Sequence, residues 1–63
     1  MYTTEFNTAE NHIIHTFDNG IVVLVDMNFK IAHVSFNGKK TGSFSVEDIS
    51  LEEYHSILLN YGK

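Results

Sequence analysis

The stretch FKIAHVSFNGKKTGSFSV, residues 29–46, decides the fold, because it holds two alternating runs joined by Asn37-Gly38. Asn-Gly between such runs is a strong signal for a β-hairpin, since a type I′ turn needs positive φ at both central residues. A two-residue turn also fixes the register of the two strands. With continuous pairing from the turn, Ile31 lies opposite Phe44.

This register divides the hairpin into two faces. One face carries four apolar residues, Phe29, Ile31, Phe44 and Val46. His33 and Gly42 lie farther along the same face. The other face carries a second apolar set opposite small polar residues: Ala32, Val34 and Phe36, facing Thr41, Ser43 and Ser45. A slip of one residue would mix these sets, so the turn and the apolar pattern agree.

Length and composition indicate one small domain, residues 1–63, with a marginal core. The chain has no cysteine, so disulfides and thiolate metal sites are excluded, and oligomerisation or a histidine site remains as a means of stabilisation. Its longest apolar run, residues 21–25, is far too short to span a membrane, and residues 1–10 lack the pattern of a secretory signal. Residues 1–11 form either a frayed tail or a short additional strand.

The formal net charge of −4 excludes the usual pattern of a nucleic-acid binder, which carries a basic stripe. The same charge disfavours an anionic membrane surface. It is compatible with a protein partner that has a basic surface. We therefore expect a soluble, cytoplasmic protein that contacts neither nucleic acid nor membrane directly.

Two apolar runs, residues 12–17 and 21–26, flank Asp18-Asn19-Gly20. A three-residue loop of this kind ends in a left-handed glycine and forms a G1 bulge. The alternative is a two-residue turn, which shifts one strand relative to the other. The bulged loop gathers the apolar residues better. It gives one face with Ile13, His15, Phe17, Ile21, Val23 and Val25, and another with His12, Ile14, Thr16, Val22, Leu24 and Asp26.

After the hairpin the pattern changes to a helical period. Ser50 and Glu53 form a capping box, with Ser50 as N-cap, and Ile49 and Tyr54 are spaced for a hydrophobic staple. Gly62 is a natural C′ residue, the residue that follows the end of the helix. The apolar stripe between these ends consists of Leu51, Tyr54, Ile57, Leu58 and Tyr61.

The sequence thus predicts an α+β fold, a four-stranded antiparallel β-meander followed by one C-terminal α-helix packed on one face of the sheet. We expect the helix to cover the face that contains Ile31 and Phe44. One helix cannot cover two faces, and a large exposed apolar patch on a small protein marks an interaction site. The residues predicted for self-association as a homodimer, through this face or the edge strands, are Val22, Leu24, Val34 and Phe36.

The four histidines offer a weak signal for chemistry. His12 and His15 are three residues apart, but on a strand they point to opposite faces. His15, His33 and His55 would meet only if the helix crossed the sheet near His33. Such a cluster could bind zinc, whereas the simpler interpretation is that these side chains are solvated or hydrogen-bonded.

A group of carboxylates surrounds the predicted helix start: Glu47, Asp48, Glu52 and Glu53. Their simplest role is capping and interaction with the helix dipole, and their second role is contact with a basic partner. The chain has no glycine-rich phosphate loop and no nucleophile motif. We expect no catalytic residues, no cofactor and no metal, and hence no enzyme activity.

These features predict a small acidic protein-binding module that inhibits or regulates a larger partner, with the four carboxylates as partner-binding residues. A phage or mobile-element antagonist of a host nucleic-acid enzyme would have this size and charge. One alternative is a homodimeric structural or accessory protein without a separate target. A second alternative is a histidine-based sensor of a metal or small ligand.

Overall fold

The computed structural model describes residues 1–62. Its elements in chain order are β1 (Tyr2–Asn7), β2 (His12–Phe17), β3 (Ile21–Asp26), β4 (Ile31–Phe36), β5 (Lys39–Ser45) and α1 (Leu51–Tyr61). The strands form one antiparallel sheet in the order β1-β2-β3-β4-β5. The predicted α+β class and C-terminal helix are confirmed, but the sheet has five strands and not four. The extra strand is β1, which pairs with β2 over its whole length.

The β2–β3 hairpin has the bulged loop that the sequence favours. Gly20 has a φ of +94°, and its N–H donates to the Phe17 carbonyl at 3.2 Å. Ile13 lies opposite Val25, as this loop requires. Consequently the more apolar face of both strands points toward α1.

The β4–β5 hairpin turns at Asn37 and Gly38, whose φ values are 51° and 83°. Both are positive, as the type I′ turn requires. Phe36 lies opposite Lys39 beside the turn. The predicted turn and the register next to it are therefore correct.

A β-bulge then changes the register farther along this hairpin. Ser35 lies opposite Lys40, but the next residue, Val34, lies opposite Gly42. Thr41 is the extra residue between these pairs, and an extra residue shifts everything beyond it by one position. The sequence prediction assumed continuous pairing and therefore missed this shift.

The bulge corrects the predicted faces of β4. Ile31 is predicted to lie under the helix, but it is on the other side of β4 and 37% exposed. Phe29 is predicted on the same covered face, but it lies in the loop before β4 and is 74% exposed. Ala32 and Val34 were expected on the opposite face, but they are 0% and 2% exposed in the core. The reason is that Phe44 pairs with Ala32 and not with Ile31.

The core lies between the sheet and α1. Its fully buried members come from three strands and the helix: Phe17, Val23, Val25, Ala32, Val34 and Leu58. Partly buried side chains surround them: Tyr2, Ile13, Ile21, Met27, Phe44, Val46, Tyr54 and Tyr61. Burying an aliphatic side chain contributes roughly 1.5–3 kcal/mol, so this single cluster supplies most of the drive to fold.

α1 begins at the predicted cap. The Ser50 hydroxyl accepts a hydrogen bond from the Glu53 N–H at 3.1 Å, and Ser50 has the extended backbone of an N-cap. The predicted stripe starts later than expected, because Leu51 is 71% exposed whereas Tyr54 is half-buried. In residues 1–62 no helix is long and apolar enough to cross a membrane.

α1 ends at Tyr61, and Gly62 follows it, as the sequence predicts. Gly62 has a φ of −77°, in the right-handed region, and its N–H donates to the Leu58 carbonyl at 3.2 Å. A Cβ at this position would lie 3.4 Å from the Phe17 ring, at ordinary van der Waals distance. Neither the backbone nor the packing therefore requires glycine at the end of this helix.

Candidate protein-binding surfaces

The sheet face opposite α1 is covered by no other element of residues 1–62. Strand pairing places Ile14 beside Leu24 in one row across this face, with Val22 and Ile31 in the rows on either side. All four side chains are half-buried or exposed. We call Ile14, Val22, Leu24 and Ile31 the uncovered patch.

Polar side chains surround the uncovered patch. His12 and Asp26 are neighbours at one end, with His12 Nε2 3.9 Å from Asp26 Oδ2. The register places further polar residues on the same face: Thr3, Glu5, Thr16, His33, Ser35, Lys40, Ser43 and Ser45. An apolar centre free of charge with a polar rim is the usual composition of a protein interface.

The structure places only two of the predicted self-association residues on this face, Val22 and Leu24. Val34 lies in the core, 2% exposed, so its assignment to this face is wrong. Phe36 is also misassigned, because it pairs with Ile21 on the α1 side, where it is 46% exposed. Both errors follow from the assumed continuous register of the second hairpin.

Two residues complete the patch in their place. Ile14 was on the expected face of the first hairpin, although it was not singled out as a site residue. Ile31 lies on this face because it alternates with buried Ala32 and pairs with Asp26 of β3, and the Thr41 bulge keeps Phe44 on the α1 side opposite Ala32. The alternating pattern of β3 indicates which side of β4 is buried. Val23 and Val25 are buried, and Val34 and Ala32 lie opposite them on the same side of the sheet.

The predicted carboxylates form a second surface around the start of α1: Glu47, Asp48, Glu52 and Glu53, all exposed. Within residues 1–62 none of them makes a salt bridge. The Glu53 Oε1 accepts a hydrogen bond from the Ser50 hydroxyl at 3.4 Å. Glu52 and Glu53 belong to the helix layer, on the other side of the sheet from the uncovered patch, so one flat partner surface does not reach both.

His15 is a buried polar residue beneath α1, with 4% of its surface exposed. Its Nε2 is hydrogen-bonded to the Tyr54 hydroxyl at 2.5 Å, and its Nδ1 to the Thr4 hydroxyl at 3.0 Å. The Tyr2 ring meets the imidazole edge-on, with centroids 5.3 Å apart. His15 therefore links β1, β2 and α1.

Burial determines the protonation states of His15 and Tyr54. It lowers the pKa of His15 below its ordinary value, and the nearby His55 lowers the pKa further. Burial also raises the pKa of Tyr54, and Tyr2 adds to that rise. Both shifts favour the neutral forms. Since protein hydroxyls occupy both imidazole nitrogens, the geometry is that of a structural link and leaves neither nitrogen free to take a proton from a bound molecule.

The structure does not bring the three predicted histidines together. His33 pairs with Leu24 and Ser43 on the uncovered face, so the sheet separates it from His15. Among residues 1–62 no group of three or more histidine, cysteine, aspartate or glutamate side chains is arranged to hold a metal ion.

A groove of about 860 Å³ lies between the start of β1 and the second half of α1. Its lining comes from both ends of the described chain: Met1, Tyr2, Phe17, Ser56, Leu58, Leu59, Asn60 and Gly62. Met1 and Leu59 are 90% and 64% exposed. No sequence pattern indicates this groove, because it exists only where the two ends of the described part of the chain meet.

A scan against family models, a search of curated proteins and a search of solved structures each returned no match.

Proposed function

We propose that this chain is a protein-binding module that inhibits or regulates a larger protein, and that the uncovered patch is its contact surface. The observation that carries this proposal is the one-sided sheet. One face is buried under α1, whereas the other presents Ile14, Val22 and Leu24 without a cover.

The composition of the patch supports a protein as its occupant. The central row of the patch holds the two apolar side chains Ile14 and Leu24, and the neighbouring polar side chains of His12 and Asp26 lie in the outer row next to Ile31. A flat sheet surface of this kind fits the apolar side of a helix or of another sheet. Full burial of a side chain of this size contributes roughly 1.5–3 kcal/mol. Since Ile14, Val22 and Leu24 are already half-buried in the single chain, a partner that covers the patch would gain part of this amount for each.

The charge of the chain supports a partner with basic regions. The net charge is −4, and four exposed carboxylates stand together around the start of α1. Complementary charge accelerates association and selects among partners more than it adds affinity. We therefore assign the carboxylates a role in steering and the uncovered patch the role of anchoring.

We further propose that the chain acts by occupying its partner and not by catalysis. His15, the buried titratable residue of the core, is committed to internal hydrogen bonds with Thr4 and Tyr54. Two of the exposed carboxylates, Glu47 and Asp48, line a groove between the loop before β4 and the start of α1, and this groove is open to solvent and does not enclose a small substrate.

The test compares one substitution on each side of the sheet. Leu24→Glu places a charge at the centre of the uncovered patch, and Leu51→Glu places the same charge at an exposed position on α1. Immobilised wild type and both variants are incubated with lysate of the source organism, and retained proteins are quantified by mass spectrometry. We expect a protein that is retained by wild type and Leu51→Glu but lost with Leu24→Glu.

The association and dissociation rates of that protein are then measured by surface plasmon resonance with purified components at two salt concentrations. A variant with the four carboxylates replaced by amides should bind more slowly and with weaker salt dependence. If the retained proteins are the same for wild type and Leu24→Glu, the uncovered patch is not the contact surface. If only self-association changes, the homodimeric accessory protein becomes the better interpretation.

A further inference from the structure

The two edges of the sheet differ in their capacity to accept another strand. The β5 edge carries the Thr41 bulge and two lysines, Lys39 and Lys40, and such features block pairing between edges. β1 has six residues without proline, lysine or bulge, and it pairs regularly with β2. The β1 edge is therefore open to a further strand.

On the α1 side of the sheet, β1 carries an exposed apolar side chain, Phe6, and borders the groove described above. Phe6 lies on the α1 side opposite Ile13, yet it is 71% exposed. Tyr2, four residues earlier on the same side, borders the groove whose outer wall includes Leu59. Phe6 and the groove thus lie at opposite ends of the same edge strand.

We propose that two copies of this chain pair through β1, antiparallel about a two-fold axis that passes beside Thr4. Two five-stranded sheets then become one continuous sheet of ten strands. Phe6 of each copy lies opposite Tyr2 of the other, and residues directly opposite in an antiparallel pair have Cβ atoms about 5 Å apart. Phe6 of each copy thereby enters the groove of the other copy, beside Tyr2 and Leu59.

Charge and apolar pattern select this register. With the axis at Thr4, Glu5 lies opposite Thr3 of the other copy, and no like charges lie directly opposite each other. An axis at Glu5 would set the two Glu5 carboxylates against each other, which is unfavourable. An axis at Thr3 would place Thr4 opposite Tyr2 and leave Phe6 outside the groove.

The pairing accounts for exposed apolar surface on the α1 side of the sheet. Met1, Phe6 and Leu59 are 90%, 71% and 64% exposed in the single chain, and all three lie along the β1 edge or its groove. A two-fold axis perpendicular to the sheet keeps both helices on one side. Both uncovered patches then lie together on the other side, so this dimer leaves them free. Dimerisation through β1 is therefore independent of whether the uncovered patch binds a regulatory target.

Sedimentation equilibrium over a wide concentration range tests the dimer. Phe6→Glu should weaken dimerisation by roughly tenfold or more, as loss of a buried aromatic anchor does. Phe29→Glu is the matched control, because Phe29 is also a largely exposed phenylalanine, at 74%, but lies in the loop before β4. We expect this control to dimerise like wild type. Circular dichroism melts establish that both variants fold.

Single cysteines test the register, since the chain has no cysteine of its own. Under mild oxidation Thr4→Cys should form a disulfide-linked dimer faster than Thr3→Cys or Glu5→Cys, because only position 4 faces itself across the axis. A second test mixes Phe6→Glu with Leu59→Lys. Each variant alone should associate weakly, and the mixture should regain dimers, because it restores one apolar contact and gains one opposite-charge pair.

Three results would overturn the proposal. One is a wild-type monomer at millimolar concentration. Another is a dimer that Phe6→Glu and Phe29→Glu weaken equally. The third is faster cross-linking at position 3 or 5 than at position 4.

Discussion

His15 and Tyr54, 39 positions apart in sequence, are hydrogen-bonded to each other across the interface between β2 and α1. The bond connects a buried imidazole to the helix that covers it. Because the imidazole is enclosed, it favours the neutral form. The attachment of the helix to the sheet is therefore coupled to pH.

We predict that the chain loses stability as the solution becomes mildly acidic. The pKa of His15 in the folded chain lies below the unfolded value of 6.5. The unfolded chain therefore takes up the proton first as the pH falls. The stability that the neutral imidazole contributes is complete above pH 6.5 and is lost as the pH falls from there through the folded pKa. Thermal melts at closely spaced pH values measure this loss.

The control for this prediction is a pair of substitutions. His15→Gln keeps a hydrogen-bonding side chain without an imidazole, so the slope of stability against pH should flatten by about one proton's linkage. Ser35→Ala, also on the uncovered face, removes no titratable group and should keep the wild-type slope. An unchanged slope in His15→Gln would show that His15 does not govern the acid response.

A matched pair of valines tests the bulged register. Val34→Ala should cost about 2 kcal/mol, because Val34 is 2% exposed and the substitution leaves a cavity in the core. Val22→Ala removes the same atoms from the uncovered patch and should cost less than about 1 kcal/mol. Urea denaturation gives both values. The reverse order would support the continuous register.

The left-handed glycines should differ in cost when replaced by alanine. Gly38 has a φ of +83° with open space around its Cβ position, so Gly38→Ala should cost about 1 kcal/mol from backbone strain. Gly20 has a φ of +94° and its Cβ would lie 2.9 Å from Asn37 Oδ1, which adds on the order of 1 kcal/mol of crowding. Gly42→Ala, with neither constraint, should be neutral or slightly stabilising. Denaturation midpoints that do not follow this order would contradict the two turn geometries.

The helix cap should contribute measurably to the free energy of unfolding. Ser50→Ala removes the acceptor for the Glu53 N–H and should cost about 1 kcal/mol. Ser56→Ala is the control, because Ser56 lies inside α1 and should change stability by less than about 0.5 kcal/mol. Equal midpoints for the two variants would place the start of the helix elsewhere.

Local chemistry made much of the fold predictable. Asn37-Gly38 requires a tight turn, Gly20 a bulged loop, and Ser50 with Glu53 a helix cap, and each is found where its residues stand. These features depend on backbone conformations that a few neighbouring residues determine by themselves. The excess of apolar residues over what one helix can cover was also evident, and two of its members, Val22 and Leu24, lie on the uncovered face.

The faces of the second hairpin depended on contacts distant in sequence. Thr41 carries no local signal for a bulge, and only the packing of Val34 and Ala32 beside Val23 and Val25 decides which side of β4 is buried. The same reason applies to β1, whose weak pattern becomes a strand only through pairing with β2. The sequence by itself determined the turns, the cap and the class of fold, because these are local. The tertiary structure alone decided the burial of His15, the members of the uncovered patch and the groove beside Tyr2, because each forms only where separate elements meet.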